Sequence, residues 1–224
     1  MFKFGEPLKF WKHQLSFKEN EQAIFGNALY TEEDAAFVLR GIMKGLNNIH
    51  EKNYIHRDLK PENIQLAPKE SQTEEDIKII DFGLSAKQKY GVKDNHEEKI
   101  GTVLYMAPEQ ISSKSYSKKI DVYAVGIILY WMLTGHHPLY VQGPIFPDSS
   151  LTLKMKVASI GPHDWIYPCS LTPLAKDFIC KLCQISQVER YDTKRALQHP
   201  WLTRRFADKI PLTAKEEGMQ EELE

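Results

Sequence analysis

Residues 56–63 read His56-Arg57-Asp58-Leu59-Lys60-Pro61-Glu62-Asn63, and a little further on comes Asp81-Phe82-Gly83. Three carboxylates, a lysine and an amide are gathered here between apolar segments. These are the groups that moving a phosphoryl group onto a hydroxyl calls for. A carboxylate takes the hydroxyl proton, a cation sits beside the phosphoryl oxygens, and amide or carboxylate oxygens hold a hard metal ion on the phosphates. Read for polarity alone, the same residues are a solvated loop. The elements around them decide how much they mean.

Thr31-Glu32-Glu33-Asp34 opens the clearest helix, with a hydroxyl at the cap and acids in the first turn. Ala35, Val38, Leu39, Ile42, Met43, Leu46 and Ile49 then keep a 3.6-residue period, which predicts one buried face leading into the polar loop. After that loop come a short segment Ile64-Gln65-Leu66, an acidic stretch at 69–76, and Ile77-Lys78-Ile79-Ile80, a predicted strand that delivers Asp81 at its end. Residues 84–106 have weak periodicity and many charges, and read as an exposed, mobile loop. Helices are predicted near 121–133 and 151–158. Another starts at Thr172-Pro173 with Ala175, Phe178, Ile179 and Leu182 on its apolar face, and a last one runs from Thr193 to Gln198 before His199-Pro200-Trp201. The charged stretch after Leu202 predicts a solvated tail. The fold class expected is mainly α with short β-strands, one domain with a functional loop edge.

Bulk composition sets limits. With 224 residues, 42% hydrophobic and 26% charged, the chain supports one sizeable core. Lys and Arg (29) balance Asp and Glu (30), so the net charge of −1 points to neither a nucleic-acid nor a membrane partner. The longest apolar run, Val122 to Leu133, is too short to span a bilayer and suits a buried core helix. Cys180 and Cys183 have zinc-like spacing but no second pair, so buried reduced thiols are expected, in keeping with a reducing, cytoplasmic setting. The N-terminus has no signal-peptide hydrophobic region.

In this order, the motifs resemble those of the protein kinases. His56 to Asn63 is similar to the family's catalytic loop, Asp81-Phe82-Gly83 to its metal-binding motif, and Ala107-Pro108-Glu109 to the close of its activation segment. Asp121-Val122-Tyr123-Ala124-Val125-Gly126 resembles the start of the central buried helix, while Glu189-Arg190-Tyr191 and His199-Pro200-Trp201 resemble the closing segments. The likeness runs from about Glu6 to Leu202 and is closest to the calcium/calmodulin-dependent-like kinases, including the calcium-dependent ones.

The resemblance implies ATP and Mg²⁺ as cofactors, protein or peptide substrates, and a role for each matching residue. Asp58 would accept the substrate hydroxyl's proton and Lys60 would neutralise charge on the transferred group. Asn63 and Asp81 would hold Mg²⁺. Lys60, Glu62, Asn63, Gln65 and Asp81 would surround the nucleotide. Thr102 would bond to Asp58 and Lys60, and with Lys60 it points to Ser/Thr acceptors. Structural roles are implied for the others. His56 and Phe82 would stack, with Gly83 completing the motif, and Asp121 would fasten the loop through its backbone amides. Glu109 and Arg190 would form a buried ion pair.

In the family an arginine at the position of Arg57 pairs with an activation-loop phosphate. The usual phosphosite, four residues before Thr102, is here Glu98. Glu98 is either a standing partner for Arg57 or a surface acid in the run Asp94, Glu97, Glu98, Lys99. Glu62 and Glu6 are either readers of basic residues near the acceptor or ordinary surface charge. Two departures matter. No Gly-x-Gly-x-x-Gly and no Val-Ala-Ile-Lys strand occur, so the expectation is a C-terminal large lobe over 1–202 with the small lobe absent, followed by a tail at 203–224. Gln65 stands where the family places an apolar side chain beneath adenine, and a buried amide is costly unless hydrogen-bonded. Tyr123 replaces the usual tryptophan, a conservative change. The expected function is a Ser/Thr kinase domain, truncated and inactive alone, with a pseudokinase-like binding scaffold as the alternative.

Overall fold

The computed structural model describes residues 6–7, 30–66, 73–88, 101–112, 115–138 and 159–204. Glu98, the helix expected at 151–158 and residues 205–224 of the tail lie outside them.

Helix α1, Glu32–Glu51, begins where the sequence places it: Thr31 Oγ1 accepts from Asp34 N at 3.1 Å. Its face of Ala35, Val38, Leu39, Ile42, Met43 and Leu46 is fully buried, while Ile49 packs partly buried at the edge. After the short helix α2, Pro108–Ile111, comes α3, Lys119–Thr134. Nearly every residue of α3 is buried, as expected of a helix that is apolar all round. Gly135 ends it in the left-handed conformation, φ +73°. Helix α4, Pro173–Leu182, is capped by Thr172, whose Oγ1 accepts from Ala175 N, with proline in the first turn. It crosses α3 closely at Gly126, where a Cβ would come within 2.3 Å of Cys183 Sγ. Helices α5, Thr193–Leu197, and α6, Pro200–Thr203, follow, capped by Asp192 and by the His199 ring. Cys180 and Cys183 are buried and free, and Cys169 is exposed and free.

The strands are short. β1 (Glu6–Pro7), β3 (Ile64–Leu66) and β4 (Ile77–Ile79) form an antiparallel sheet in the order β1-β3-β4, with Glu6 opposite Leu66 and Ile64 opposite Ile79. β2 (Tyr54–Ile55) and β5 (Ala86–Lys87) form a second antiparallel pair. The stretch 84–106, read as loop throughout, therefore contains a strand and also a 3₁₀ turn at Val103–Tyr105. Two-residue strands carry no period of their own. β5 exists because Ile55 and Tyr54 offer it a partner edge. No described helix is long and apolar enough to cross a membrane.

Candidate functional site

Strand β2 leads from the end of α1 into His56 and Arg57, whose backbone is fastened from below. Asp121, in the first turn of α3 and 1% exposed, accepts from His56 N through Oδ2 and from Arg57 N through Oδ1, both at 2.9 Å. A third donor, His50 Nε2 at the end of α1, reaches Oδ2 at 2.8 Å. These bonds hold Arg57 at φ +71°, a left-handed conformation that a side chain other than glycine adopts only when its surroundings impose it.

Asp58 comes next, and both of its carboxylate oxygens are engaged. Oδ1 accepts from Thr102 N and from Thr102 Oγ1, each at 2.8 Å. Oδ2 accepts from Lys60 Nζ at 2.9 Å, and the same ammonium donates to Thr102 Oγ1 at 3.2 Å. Burial pushes the Asp58 carboxyl up, but the donors from Lys60 and Thr102 outweigh it and hold the group below the usual carboxylate range. Thr102 arrives through Gly101, φ +115°, where a Cβ would lie 2.4 Å from Arg57 O, so only glycine permits the approach.

Asn63 is buried and donates from Nδ2 to Asp58 O at 2.8 Å, which leaves its amide oxygen available as a donor to a metal. It directly precedes β3, and Asp81 follows closely after β4. Ile64 pairs with Ile79, and Ile80 N donates to Asn63 O at 2.9 Å, so the pairing brings Asn63 and Asp81 to the same end of the sheet. Asp81 is exposed, φ +62°, and accepts from Gly83 N at 3.3 Å. Among the described residues no three His, Cys, Asp or Glu gather to cage a metal. One amide oxygen and one open carboxylate are nonetheless a donor set that fits a hard ion keeping its waters and phosphate oxygens.

The remaining expected residues fall as follows. His56 Nε2 is bonded to Ile80 O at 2.9 Å, which fixes the ring plane. Phe82 meets it edge-on (centroids 5.1 Å apart, 61° between planes) where a stacked pair was expected, and it is 47% exposed. Glu109 and Arg190 form the expected pair: Nη1 to Oε1 at 2.6 Å and Nη2 to Oε2 at 2.9 Å, with Arg190 fully buried over the Tyr123 ring. Arg57 Nε donates to Leu84 O. Glu62 is exposed, and Gln65 is half-buried opposite Lys78. Sequence reasoning missed His50, which continues the apolar stripe four residues after Leu46, and Gln110, whose Nε2 reaches Arg57 O at 3.4 Å. It also missed His137, bonded to Leu104 O.

The family described as "Protein kinase domain" matches residues 13–202. A calcium/calmodulin-dependent protein kinase type 1 of Macrobrachium nipponense is 35% identical over 174 residues, covering 78% of this chain and 48% of the relative. A probable myosin light chain kinase of Dictyostelium discoideum is 35% identical over 182 residues, 80% of this chain and 44% of the relative. Calcium-dependent protein kinase 4 of Plasmodium berghei is 35% identical over 183 residues, 80% and 32%. The chain thus spans less than half of the length of each of these curated relatives.

Proposed function

This chain belongs to the protein kinase family, and from that premise we propose that residues 56–102 carry the transfer machinery of a serine/threonine kinase. The hydrogen-bonded triangle of Asp58, Lys60 and Thr102 beside Asn63 and Asp81 carries the reading. In the proposed reaction a Ser or Thr hydroxyl oxygen attacks the γ-phosphorus of ATP, the bond to the ADP oxygen breaks, and Asp58 takes the hydroxyl proton. Its carboxylate is ionised for that task, and Thr102 fixes its orientation. Lys60 stands beside Asp58 to meet the negative charge of the phosphoryl oxygens. Asn63 Oδ1 and the Asp81 carboxylate would hold Mg²⁺, which supplies charge neutralisation on the phosphates. Gln65 would lie under the base, and Glu62 would face basic residues of a peptide.

We read residues 1–202 as the large lobe. The sequence contains no Gly-x-Gly-x-x-Gly to cover the phosphates, so transfer by these residues alone is not expected. Free cysteines fit a cytoplasmic setting. A second reading, a pseudokinase-like binding scaffold, is favoured by Gln65, whose amide replaces an apolar floor.

Thermal unfolding with and without Mg²⁺-ATP tests the nucleotide half of the proposal. The midpoint should rise with Mg²⁺-ATP, less with ATP and EDTA, and not at all in Asp81→Ala. An unshifted midpoint at millimolar nucleotide would leave the scaffold reading.

A further inference from the structure

Away from residues 56–102, a tight turn folds back over the end of α4. Gly161 N donates to Asp164 Oδ2 at 3.2 Å and Asp164 N donates to Gly161 O at 3.0 Å, so the turn is closed from both sides. Gly161 seats on Ile185, where an added Cβ would come 3.2 Å from Cδ1. The turn is thereby held against α4, and it lays the exposed His163 ring across the buried Cys180 and the side chain of Gln184.

His163 Nδ1 lies 3.9 Å from Cys180 Sγ, which leaves at best a weak thiol hydrogen bond. The Tyr167 hydroxyl, also 3.9 Å from the sulfur, gives its proton to Pro162 O at 2.8 Å. The sulfur therefore receives no strong donor from either neighbour. With zinc bond lengths as the yardstick, about 2.3 Å to sulfur and about 2.0–2.1 Å to nitrogen, an ion closes a 3.9 Å gap at an angle of about 125–130°. That angle is near trigonal and wider than tetrahedral. No third His, Cys, Asp or Glu joins the pair among the described residues, whereas zinc sites use at least three protein ligands. A thiolate and an imidazole with an open third position suit a soft monovalent ion instead. On the far side of the ring, His163 Nε2 lies 3.5 Å from the Gln184 amide, whose oxygen and nitrogen exchange by a flip. With the oxygen turned inward, Nε2 donates to it and Nδ1 presents its lone pair toward the sulfur.

We propose that Cys180 and His163 form a binding site for a cuprous ion. Cys180 binds as thiolate and His163 through Nδ1, Gln184 orients the ring, and the third position is open to water or to the low-molecular-weight thiol that delivers the ion. On binding, the Sγ–H bond breaks, the proton leaves to solvent and a copper–sulfur bond forms, with no change of oxidation state. Burial pushes the Cys180 thiol up, so near pH 7 the group is protonated and is a poor nucleophile. It gives up its proton to an ion that holds sulfur strongly. The exposed His163 ring provides the way in, and the loaded site clamps the turn to α4.

Anaerobic titration of Cu(I) against the chelator bicinchoninate tests the site. The full chain carries Cys169→Ser as the reference, since that thiol is exposed and would take copper by itself. One ion per chain is expected. The apparent Kd should rise at least about a hundredfold in Cys180→Ser, about 10–100-fold in His163→Gln and about tenfold in Gln184→Ala. His163 is exposed, so His163→Gln should unfold at the reference midpoint without copper, which separates a lost ligand from a lost fold. X-ray absorption of the loaded reference should show one sulfur and one imidazole on copper. The proposal is overturned if the reference takes up no stoichiometric ion, if His163→Gln binds as tightly as the reference, or if the spectrum shows two sulfurs. Zinc bound as tightly as Cu(I) would overturn the choice of a soft monovalent ion.

Discussion

Asp58 and His137 are held in opposite ways, and acid distinguishes them. Asp58 is a carboxylate whose donors stabilise its charge, so its contribution is complete above the usual carboxylate range and is lost as the pH falls through that range to its lower folded value. His137 is an imidazole that burial keeps neutral, with a folded pKa of about 4 against an ordinary value near 6.5. As the pH drops through that window the unfolded chain binds a proton that the folded chain refuses, and stability is lost with it. At pH 4.5 the loss relative to pH 7.5 should be about 2–3 kcal/mol. Urea denaturation at the two pH values should show that drop in the native chain, reduced by roughly that amount in His137→Gln, whatever that variant's stability at pH 7.5. A native-like slope in the glutamine variant would mean that His137 is protonated in the folded state as readily as in the unfolded one.

At the scale of elements, one carboxylate ties α1 to the start of α4 and to α6. Glu32, in the first turn of α1, accepts from Thr172 N at 2.8 Å and Thr172 Oγ1 at 2.9 Å, at the start of α4. It also accepts from Trp201 Nε1 at 2.8 Å and from Arg204 Nη2, on and just after α6. Glu32→Ala leaves the buried indole N–H and the Thr172 amide without their acceptor and should cost about 2–4 kcal/mol. Glu32→Gln, which keeps one good acceptor oxygen, should cost about half as much. Equal unfolding midpoints for native and Glu32→Ala would show that solvent replaces the clasp. Nothing local in Glu32-Glu33-Asp34 marks which acid does this, since all three suit a helix N-terminus equally. That is the general line between what the sequence disclosed and what it hid. The caps at Thr31 and Thr172, the periods of α1 and α4 and the unbroken apolar run of α3 are short-range and could be read directly. β5, the Glu32 clasp and the His137 bond depend on partners brought together by the fold: His137 and Leu104 are 33 residues apart, and His50 and Asp121 are 71 apart. Asp58, Lys60, Asn63 and Asp81 could be singled out only because their order is dense and distinctive. The bond from His56 to Ile80 O, 24 residues away, is likewise something no spacing reveals.

For the whole molecule, the site is a loop edge laid across a helical core, so its geometry is set by a few polar ties that run into that core. Asp121 ties the loop from α3. The Glu109–Arg190 pair ties α2 to α3 and to the segment between α4 and α5. Arg190 also donates to Lys119 O at 3.1 Å, Gln184 O at 2.9 Å and Ile185 O at 3.3 Å, so every face of its guanidinium is used. A buried pair gains little over an apolar replacement, yet loses heavily when one partner is stranded. Arg190→Met should therefore destabilise by about 3–5 kcal/mol, because the Glu109 carboxylate is left buried with its two strongest donors gone. In Glu109→Leu the stranded group is instead a guanidinium that keeps three carbonyl acceptors, so the cost should be smaller, about 2–3 kcal/mol. The double variant should cost less than the sum of the two, since neither charge then remains unpaired. Urea denaturation of all four chains measures this coupling. If the two losses simply add, the pair is not the shared anchor of α2, and the placement of α2 must come from the apolar packing of Ile111, Met106 and Ala107 instead.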